Sequence, residues 1–408
     1  MAKHTMVCSM SISKPFAVAD RFAPFGTTIF TEMTALANTH QAVNLSQGFP
    51  DFDGPQIGKD AAIEAIKSGR NQYAPMIGVP ELRQAIARWA QRVNGIHVDP
   101  DIEITVASGC TEAIAACLLG LVNPGEEVVV FEPYYDSYRA CLAMAGAQAK
   151  FVTLHPDASA PSGFAYKLDE LKAAFSSKTK AVLVNTPHNP TGVVFSQAQL
   201  QEIADLCIEH DVIALSDEVY ERLVYAGAAH RSMATLPGMR ERTVVLSSSG
   251  KSFSLTGWKV GWAIAPPNLS KAIRSAHQFL TFSVPTPLQY GVAKLLDSGE
   301  EEIQKLVEHY THTRSLLGEA LAELGFGITM PEGSYFLMAQ HETVSDRLGI
   351  TSDVEMCRWL PTNAGIAAIP PSAFYHDPEF TSPYIRFAYC KQTKTIDEAI
   401  LRLRKALG

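Results

Sequence analysis

Ala181-Val182-Leu183-Val184-Asn185 passes directly into Thr186-Pro187-His188-Asn189-Pro190-Thr191-Gly192, and the reading of that junction decides the fold. A short apolar run closed by an amide and two prolines reads as a buried strand meeting a turn. The form recurs downstream. Residues 212–216 end in Asp217-Glu218-Val219-Tyr220, and residues 244–247 end in Ser248-Ser249-Gly250-Lys251-Ser252-Phe253-Ser254. Upstream, residues 102–106 lead into Ser108-Gly109-Cys110-Thr111 and a helical stretch over 111–121, and residues 127–131 form one more buried run. Continuously apolar short runs separated by helices predict strands covered on both faces, hence an α/β fold around a mostly parallel sheet.

Outward from this centre the pattern changes. The first 55 residues are loop-rich and close on Gln47-Gly48-Phe49-Pro50-Asp51-Phe52-Asp53-Gly54-Pro55, where turn formers crowd. From Gln56, Ala61, Ile63 and Ile66, then Leu82, Ile86 and Trp89, recur at helical steps. After Pro285-Thr286-Pro287 one long connecting helix is expected over 288–324, then strands at 333–339, 365–370 and 384–389 of a smaller α+β unit. The expected organisation is an N-terminal arm with part of the small domain (1–55), a large domain (56–290) and a small C-terminal domain (291–408).

The chain has 408 residues, enough for two domains at roughly 150 residues each. Hydrophobic residues make up 47% and charged residues 19%, a globular balance. A net charge of −8 argues against a nucleic-acid partner, which would require basic clusters. No apolar run reaches the roughly 18 residues of a membrane span. Residues 1–16 lack a continuous apolar core, so no signal peptide is expected. The cysteines, Cys8, Cys110, Cys117, Cys141, Cys207, Cys357 and Cys390, stand singly without a CxxC pair. That favours reduced thiols and a cytoplasmic location over disulfides or a zinc site.

In open α/β sheets a ligand lies beyond the carboxyl ends of the strands. Each post-strand segment is weak alone: Asn-Pro and Thr-Gly suit a plain turn, and an acid after a strand often caps a helix. Together they bring Lys251 and Lys259, an acid, a phenol, an amide and a helix N-terminus to one sheet edge. The free N–H groups at Cys110 and Thr111 suit a phosphate. Gly250-Lys251-Ser252 mimics the end of a P-loop, but Val245 stands where that loop needs glycine. GxGxxG, HExxH and GxSxG are absent, so neither a nucleotide signature nor a metal site is expected.

These segments, joined by Gly257-Trp258-Lys259 and Tyr384-Ile385-Arg386-Phe387, resemble the class I aminotransferases of pyridoxal phosphate (PLP) fold type I, from about Phe25 to the C-terminus. Asn44-Leu45-Ser46-Gln47-Gly48-Phe49-Pro50-Asp51-Phe52 and Asn71-Gln72-Tyr73-Ala74-Pro75 are similar to the methionine and kynurenine aminotransferase branch. Gly26-Thr27-Thr28-Ile29-Phe30 and Thr281-Phe282-Ser283-Val284-Pro285 lean toward methionine aminotransferases.

The resemblance implies a seven-stranded, mostly parallel sheet between helices, a smaller α+β domain, and a role for each motif residue. Lys251 would form the Schiff base with PLP and move the substrate proton, its pKa depressed by Lys259 and the pyridinium. Asp217 would pair with the pyridine nitrogen, and Tyr220 and Asn189 would bond the phenolic oxygen. Tyr135 and Val219 would cover the two ring faces. The Cys110 and Thr111 backbone, Ser248 and Lys259 would hold the phosphate; the Cys110 thiol has no assigned role. Arg386 would clasp the substrate α-carboxylate, helped by Asn189 and the Gly48 backbone. Phe30, Met33 and Phe282 suit pocket walls, although ordinary core packing explains such residues equally well. Tyr73 and Phe282 would reach the neighbouring subunit's site, implying a homodimer.

The activity implied is transamination of an apolar, sulfur-containing or aromatic L-amino acid, methionine favoured, with a 2-oxo acid as acceptor. No second arginine for a side-chain carboxylate is identified, which argues against aspartate as donor. The alternatives are a kynurenine aminotransferase or a cysteine-S-conjugate or cystathionine β-lyase on the same fold. A PLP-sensing transcription regulator is more remote, because it would need a further N-terminal helix-turn-helix and only about 24 residues precede the similar region.

Overall fold

The computed structural model describes residues 18–225 and 227–408. The segment read above as lacking a signal peptide, Cys8 and the start of the N-terminal arm lie outside the described residues. The large sheet contains β1 (Ile104–Ala107), β2 (Glu127–Glu132), β3 (Gln148–Thr153), β4 (Thr179–Asn185), β5 (Ile213–Asp217), β6 (Thr243–Ser248) and β7 (Gly261–Ile264). Their spatial order is β1-β7-β6-β5-β4-β2-β3. β7 runs antiparallel to β1 and β6, and all other neighbours pair in parallel. This is the mostly parallel seven-stranded sheet expected.

β3 and β7 were not anticipated individually. β3 reads Gln-Ala-Lys-Phe-Val-Thr at the sheet edge, where half-exposure dilutes the apolar signal. β7 opens with Gly261, which sequence reading grouped with the loop before it.

The other helices that matter here are α1 (Ile29–Thr39), α2 (Gln56–Lys67), α3 (Pro80–Asn94), α4 (Gly109–Leu121), α5 (Ser137–Ala145), α6 (Gln197–Glu209) and α7 (Pro267–Leu280). Alternate residues of the strands enter separate cores. Val128, Val130, Leu183 and Leu215 pack with α4, α5 and α7, whereas Val129, Phe131, Val182 and Ala214 pack with α6. Both faces are therefore apolar, which explains runs without a two-residue alternation. Each fully buried Val or Leu contributes about 1.5–3 kcal/mol.

The long helix expected over 288–324 is two helices, α8 (Thr286–Ser298) and α9 (Glu300–Glu323). They divide at Gly299, where a Cβ would lie 2.6 Å from both the Leu295 carbonyl oxygen and the Phe253 ring. Glu300, Glu301 and Glu302 then open α9, where the helix dipole favours acids. Position 290 lies inside α8, which packs on α2 and α3 beside the large sheet.

A second core surrounds the antiparallel sheet of β8 (Gly327–Ile328), β9 (Phe336–Gln340) and β10 (Tyr384–Ala388). It includes Met33, Leu45, Leu317, Leu337, Ile385 and Phe387, with α10 (Asp353–Asn363) and α11 (Thr393–Leu407) supplying further apolar side chains. Val43–Asn44 pairs in parallel with Ile366–Ala367, tying the early chain to this unit. Among the described residues, no helix is long and apolar enough to cross a membrane.

Candidate active site

Sheet register assembles the floor of the site. Asn185, Asp217 and Leu246 sit side by side on β4, β5 and β6, and Ser248, Gly261 and Ala107 form a second row, two residues further along β6, across β7. Gly261 has a steric reason. A Cβ there would lie 2.7 Å from the Cys110 nitrogen and 2.6 Å from the Gly109 carbonyl carbon, so only glycine lets the start of α4 lie against the sheet. Gly109 itself has φ +75°, a left-handed conformation that glycine adopts without strain. Ser108 supplies no side-chain cap. Cys110, Thr111, Ser248 and Lys259 line the same cavity, and the Lys259 amine reaches the surface of Gly109. An open helix N-terminus beside a lysine is a site for a dianion.

Asp217 ends β5 and is almost wholly buried. Its Oδ2 accepts the Tyr138 hydroxyl at 2.6 Å, and its Oδ1 accepts the Val219 N–H at 3.3 Å. The Cys110 thiol also donates to Oδ1, at 3.6 Å. This corrects the expectation that only the backbone of Cys110 matters. Burial pushes the Asp217 pKa up, and the three donors with Lys251 pull against that shift.

Lys251 follows β6 on a single helical turn, and its Nζ donates to Tyr335 Oη at 2.9 Å. Tyr335 in turn donates to the Gly48 carbonyl. Lys251 lines the cavity and is half-buried as a residue, and burial is the main cause lowering its pKa; Lys259 pushes the same way and Asp217 opposes. Lys259 therefore contributes as expected, but behind burial.

Arg386 lies on β10 and is 1% exposed. Nη1 donates to Asn189 Oδ1 at 2.9 Å and Nη2 to the Ser46 carbonyl at 3.0 Å. Its Nε is buried with no partner among the described residues. The guanidinium stacks 4.0 Å from the Phe336 ring centre, with Phe374 and Phe30 at 5.2 and 5.3 Å. Burial lowers its pKa to about 10, so it stays charged at neutral pH.

These groups share one cavity of about 410 Å³. Phe30, Gly48, Tyr135, Val219 and Tyr220 line it as well. Tyr73 and Phe282 do not. They are 85% and 46% exposed and pack edge-on against each other, ring centres 5.6 Å apart. Met33 is no pocket wall either: it is fully buried with Leu45 in the small unit's core. His188 is a structural part of its turn, its Nδ1 within 2.8 Å of Thr191 Oγ1 and its pKa pushed down to about 3 by burial.

Sequence reading missed Tyr138, Asp136, Gln47, Tyr335 and Phe336. Tyr138 was reachable, since it stands three residues after Tyr135 at the start of α5. Tyr335 and Phe336 come from the small unit and carry no local signal.

The cavity meets the needs of PLP on this chain's own features: an amine of lowered pKa, a buried carboxylate, an open helix N-terminus with a lysine, and an orphaned guanidinium nitrogen. A family model for aminotransferases of class I and II matches residues 40–403, and the chain belongs to that family. It is thus a PLP-dependent enzyme that moves an amino group between an amino acid and a 2-oxo acid.

Within the family, the chain is 42% identical to the methionine aminotransferase of Escherichia coli, covering 96% of this chain and 99% of that one. It is 38% identical to the kynurenine–oxoglutarate transaminase of Dictyostelium discoideum, covering 96% and 97%. Among solved structures, the N-succinyldiaminopimelate aminotransferase of Mycobacterium tuberculosis superposes with a TM-score of 0.91 at 43% identity, covering 96% of this chain and 100% of that chain.

Proposed function

We propose that this aminotransferase takes methionine and related apolar or aromatic L-amino acids as donors. The observation that carries this reading is the charge of the cavity wall. Arg386 is the single arginine lining it among the described residues, and its Nη groups already meet Asn189 and Ser46. Asp136 on the same wall would repel a donor with a side-chain carboxylate, while Phe30 and Phe336 offer apolar area. The methionine aminotransferase relative supports the same choice. The aromatic walls also support a kynurenine-type donor as second reading, in keeping with the kynurenine transaminase relative.

PLP, when bound, supplies an aldehyde carbon that carries the amino group and a ring that accepts the electrons of the broken Cα–H bond. The chain's residues divide the remaining work. Lys251 would anchor the group and, once released as a neutral amine, would take the Cα proton onto Nζ and pass it to the group's aldehyde carbon. Asp217 would keep the ring nitrogen protonated. Tyr220 and Asn189 would bond the phenolic oxygen, and Tyr135 and Val219 would cover the ring. The Cys110 and Thr111 N–H groups, Ser248 and Lys259 would hold the phosphate. Arg386 grips the α-carboxylate through its free donors, with Asn189 and Gly48 beside it.

Tyr73 and Phe282 complete the site of a second copy in a homodimer, with Tyr73 toward the phosphate and Phe282 toward the donor side chain. The exposure of Tyr73, Phe279, Leu280 and Phe282 supports this. Residues 56–298, ending with α8, would form the large domain and residues 18–55 with 300–408 the small one, so the boundary expected at 290 moves to the end of α8.

A donor panel of methionine, phenylalanine, kynurenine, N-succinyl-L,L-diaminopimelate and aspartate tests the reading. Methionine should give the highest kcat/KM, with N-succinyl-L,L-diaminopimelate and aspartate at least tenfold lower. A tenfold advantage for N-succinyldiaminopimelate would overturn it, and pyruvate with ammonia from cystathionine alone would mark a β-lyase.

A further inference from the structure

The segment that brings Asp217, Val219 and Tyr220 to the cavity also carries two acids that do not line it. Glu218 is fully buried and Glu221 is 4% exposed. Glu218 Oε1 accepts Ser216 Oγ at 2.7 Å, Ser232 Oγ at 2.9 Å and the Met233 N–H at 3.3 Å. Glu221 accepts Trp89 Nε1 at 2.8 Å and Ser247 Oγ at 3.3 Å on Oε1, and Asn94 Nδ2 at 2.9 Å on Oε2. His230 faces both acids. Its Nε2 lies 3.1 Å from Glu218 Oε2, and one ligand atom from each of the three side chains lies within 4.8 Å of the others. The His230 side chain is 4% exposed, and its Nδ1 has no partner among the described residues.

A separate cavity of about 320 Å³ opens beside this cluster, lined by Arg92 of α3, Arg222, and Glu300 at the start of α9. Arg222 forks onto Glu300, and Arg92 donates to the Leu296 carbonyl. Three carboxylates thus face two guanidinium groups, which leaves the region one positive charge short. A divalent ion would overshoot that deficit by one charge, whereas a proton on His230 closes it. The Nε2–Oε2 separation is already that of a hydrogen bond.

We propose that His230 is held as the imidazolium and is a positioning residue: by supplying the one positive charge that Glu218 and Glu221 lack, it fixes the segment that presents Asp217, Val219 and Tyr220 to the cofactor. Burial alone would lower the His230 pKa, but the bond to Glu218 and the charges of both acids outweigh it and raise the value above 6.5. Burial raises the pKa of Glu221, and the charge on His230 opposes that shift. A raised folded-state value means that His230 stabilises the fold fully below about pH 6.5, and the effect fades as pH climbs through the folded pKa. Above that point one negative charge is left uncompensated among the buried acids of the cofactor segment, a costly arrangement that favours its displacement.

The effect on catalysis rests on the proposed roles of Asp217 and Tyr220; the effect on stability does not, so the two can fail separately. The test follows the melting temperature of the holoenzyme from pH 6 to 10, with kcat and KM at neutral pH. His230→Gln should melt several degrees lower at pH 6, with the gap to wild type closing toward alkaline pH. Its kcat should fall about tenfold while the donor KM moves less than about twofold, because Arg386 is untouched. His230→Gln/Glu221→Gln should recover at least half of both losses, since removing one acid restores the balance. Should His230→Gln fail to fold, Glu221→Gln alone should shift the alkaline limb of the melting profile to lower pH. A pH-independent gap, no rescue, or an unmoved limb would overturn the proposal. So would one metal ion per purified chain whose removal by a chelator lowers the melting temperature.

Discussion

The floor of the cavity and its outer rim are built to different degrees of completion. At the floor, Asp217 has three donors, Lys251 has Tyr335, and both are enclosed by the chain that carries them. Tyr73 and Phe282, which the proposed dimer would bring to the rim of a second copy's cavity, pack edge-on against each other and are 85% and 46% exposed. Buried polar groups must find partners within the chain, because each one left unmet costs about 1–3 kcal/mol. Exposed aromatics carry no such constraint and are free to await a second surface. The floor should therefore tolerate no change, whereas the rim should fail by degrees and only in proportion to apolar area.

The largest effect should come from the floor. Lys251→Ala would remove both the proposed anchor and the proposed proton carrier, so turnover should drop by at least about 10⁴-fold. Borohydride treatment of the wild-type enzyme followed by peptide mapping should find the cofactor on Lys251; finding it on Lys259 would reverse the assignment. Asp217→Asn keeps the shape and removes the charge. A loss of about 3–4 kcal/mol, roughly 10²–10³-fold in kcat, is expected for a preorganised electrostatic contact. A variant within about threefold of wild type would refute the role.

The smallest effect belongs to the rim. Phe282→Ala should raise the methionine KM roughly five- to tenfold and leave the alanine KM nearly unchanged, since about 40–60 Å² of apolar contact is lost. Mixing this variant with Lys251→Ala chains sharpens the contrast between floor and rim. In the heterodimer, the chain that keeps Lys251 meets an intact Phe282 from its partner, so one site should regain the normal methionine KM. Subunit exchange without that recovery would mean that the rim belongs to one chain after all.

The junctions at Asn185, Asp217 and Lys251 were legible in the sequence because strand ends are local: apolar residues stop, polar ones begin, and the sheet brings them to one edge. Residues 102–106, 127–131, 212–216 and 244–247 were visible as strands for the same reason. β3 and β7 were hidden, one by its half-exposed edge position and the other by its initial glycine. The break at Gly299 escaped because Glu300–Glu323 continues a helical pattern, and the clash that forbids a side chain there comes from Phe253, distant in sequence.

By itself the sequence determined the fold class and the family and pointed to candidate reactive groups, since those readings depend on residue type and order along single strands and turns. Only the tertiary structure decided which groups tune them. Tyr335 reaches Lys251 across 84 positions, Cys110 and Tyr138 reach Asp217 across 107 and 79, and His230 meets Glu218 from a loop beyond the cofactor segment. Hydrogen bonds of this kind depend on where separate elements are packed, and no local pattern in the chain encodes that distance.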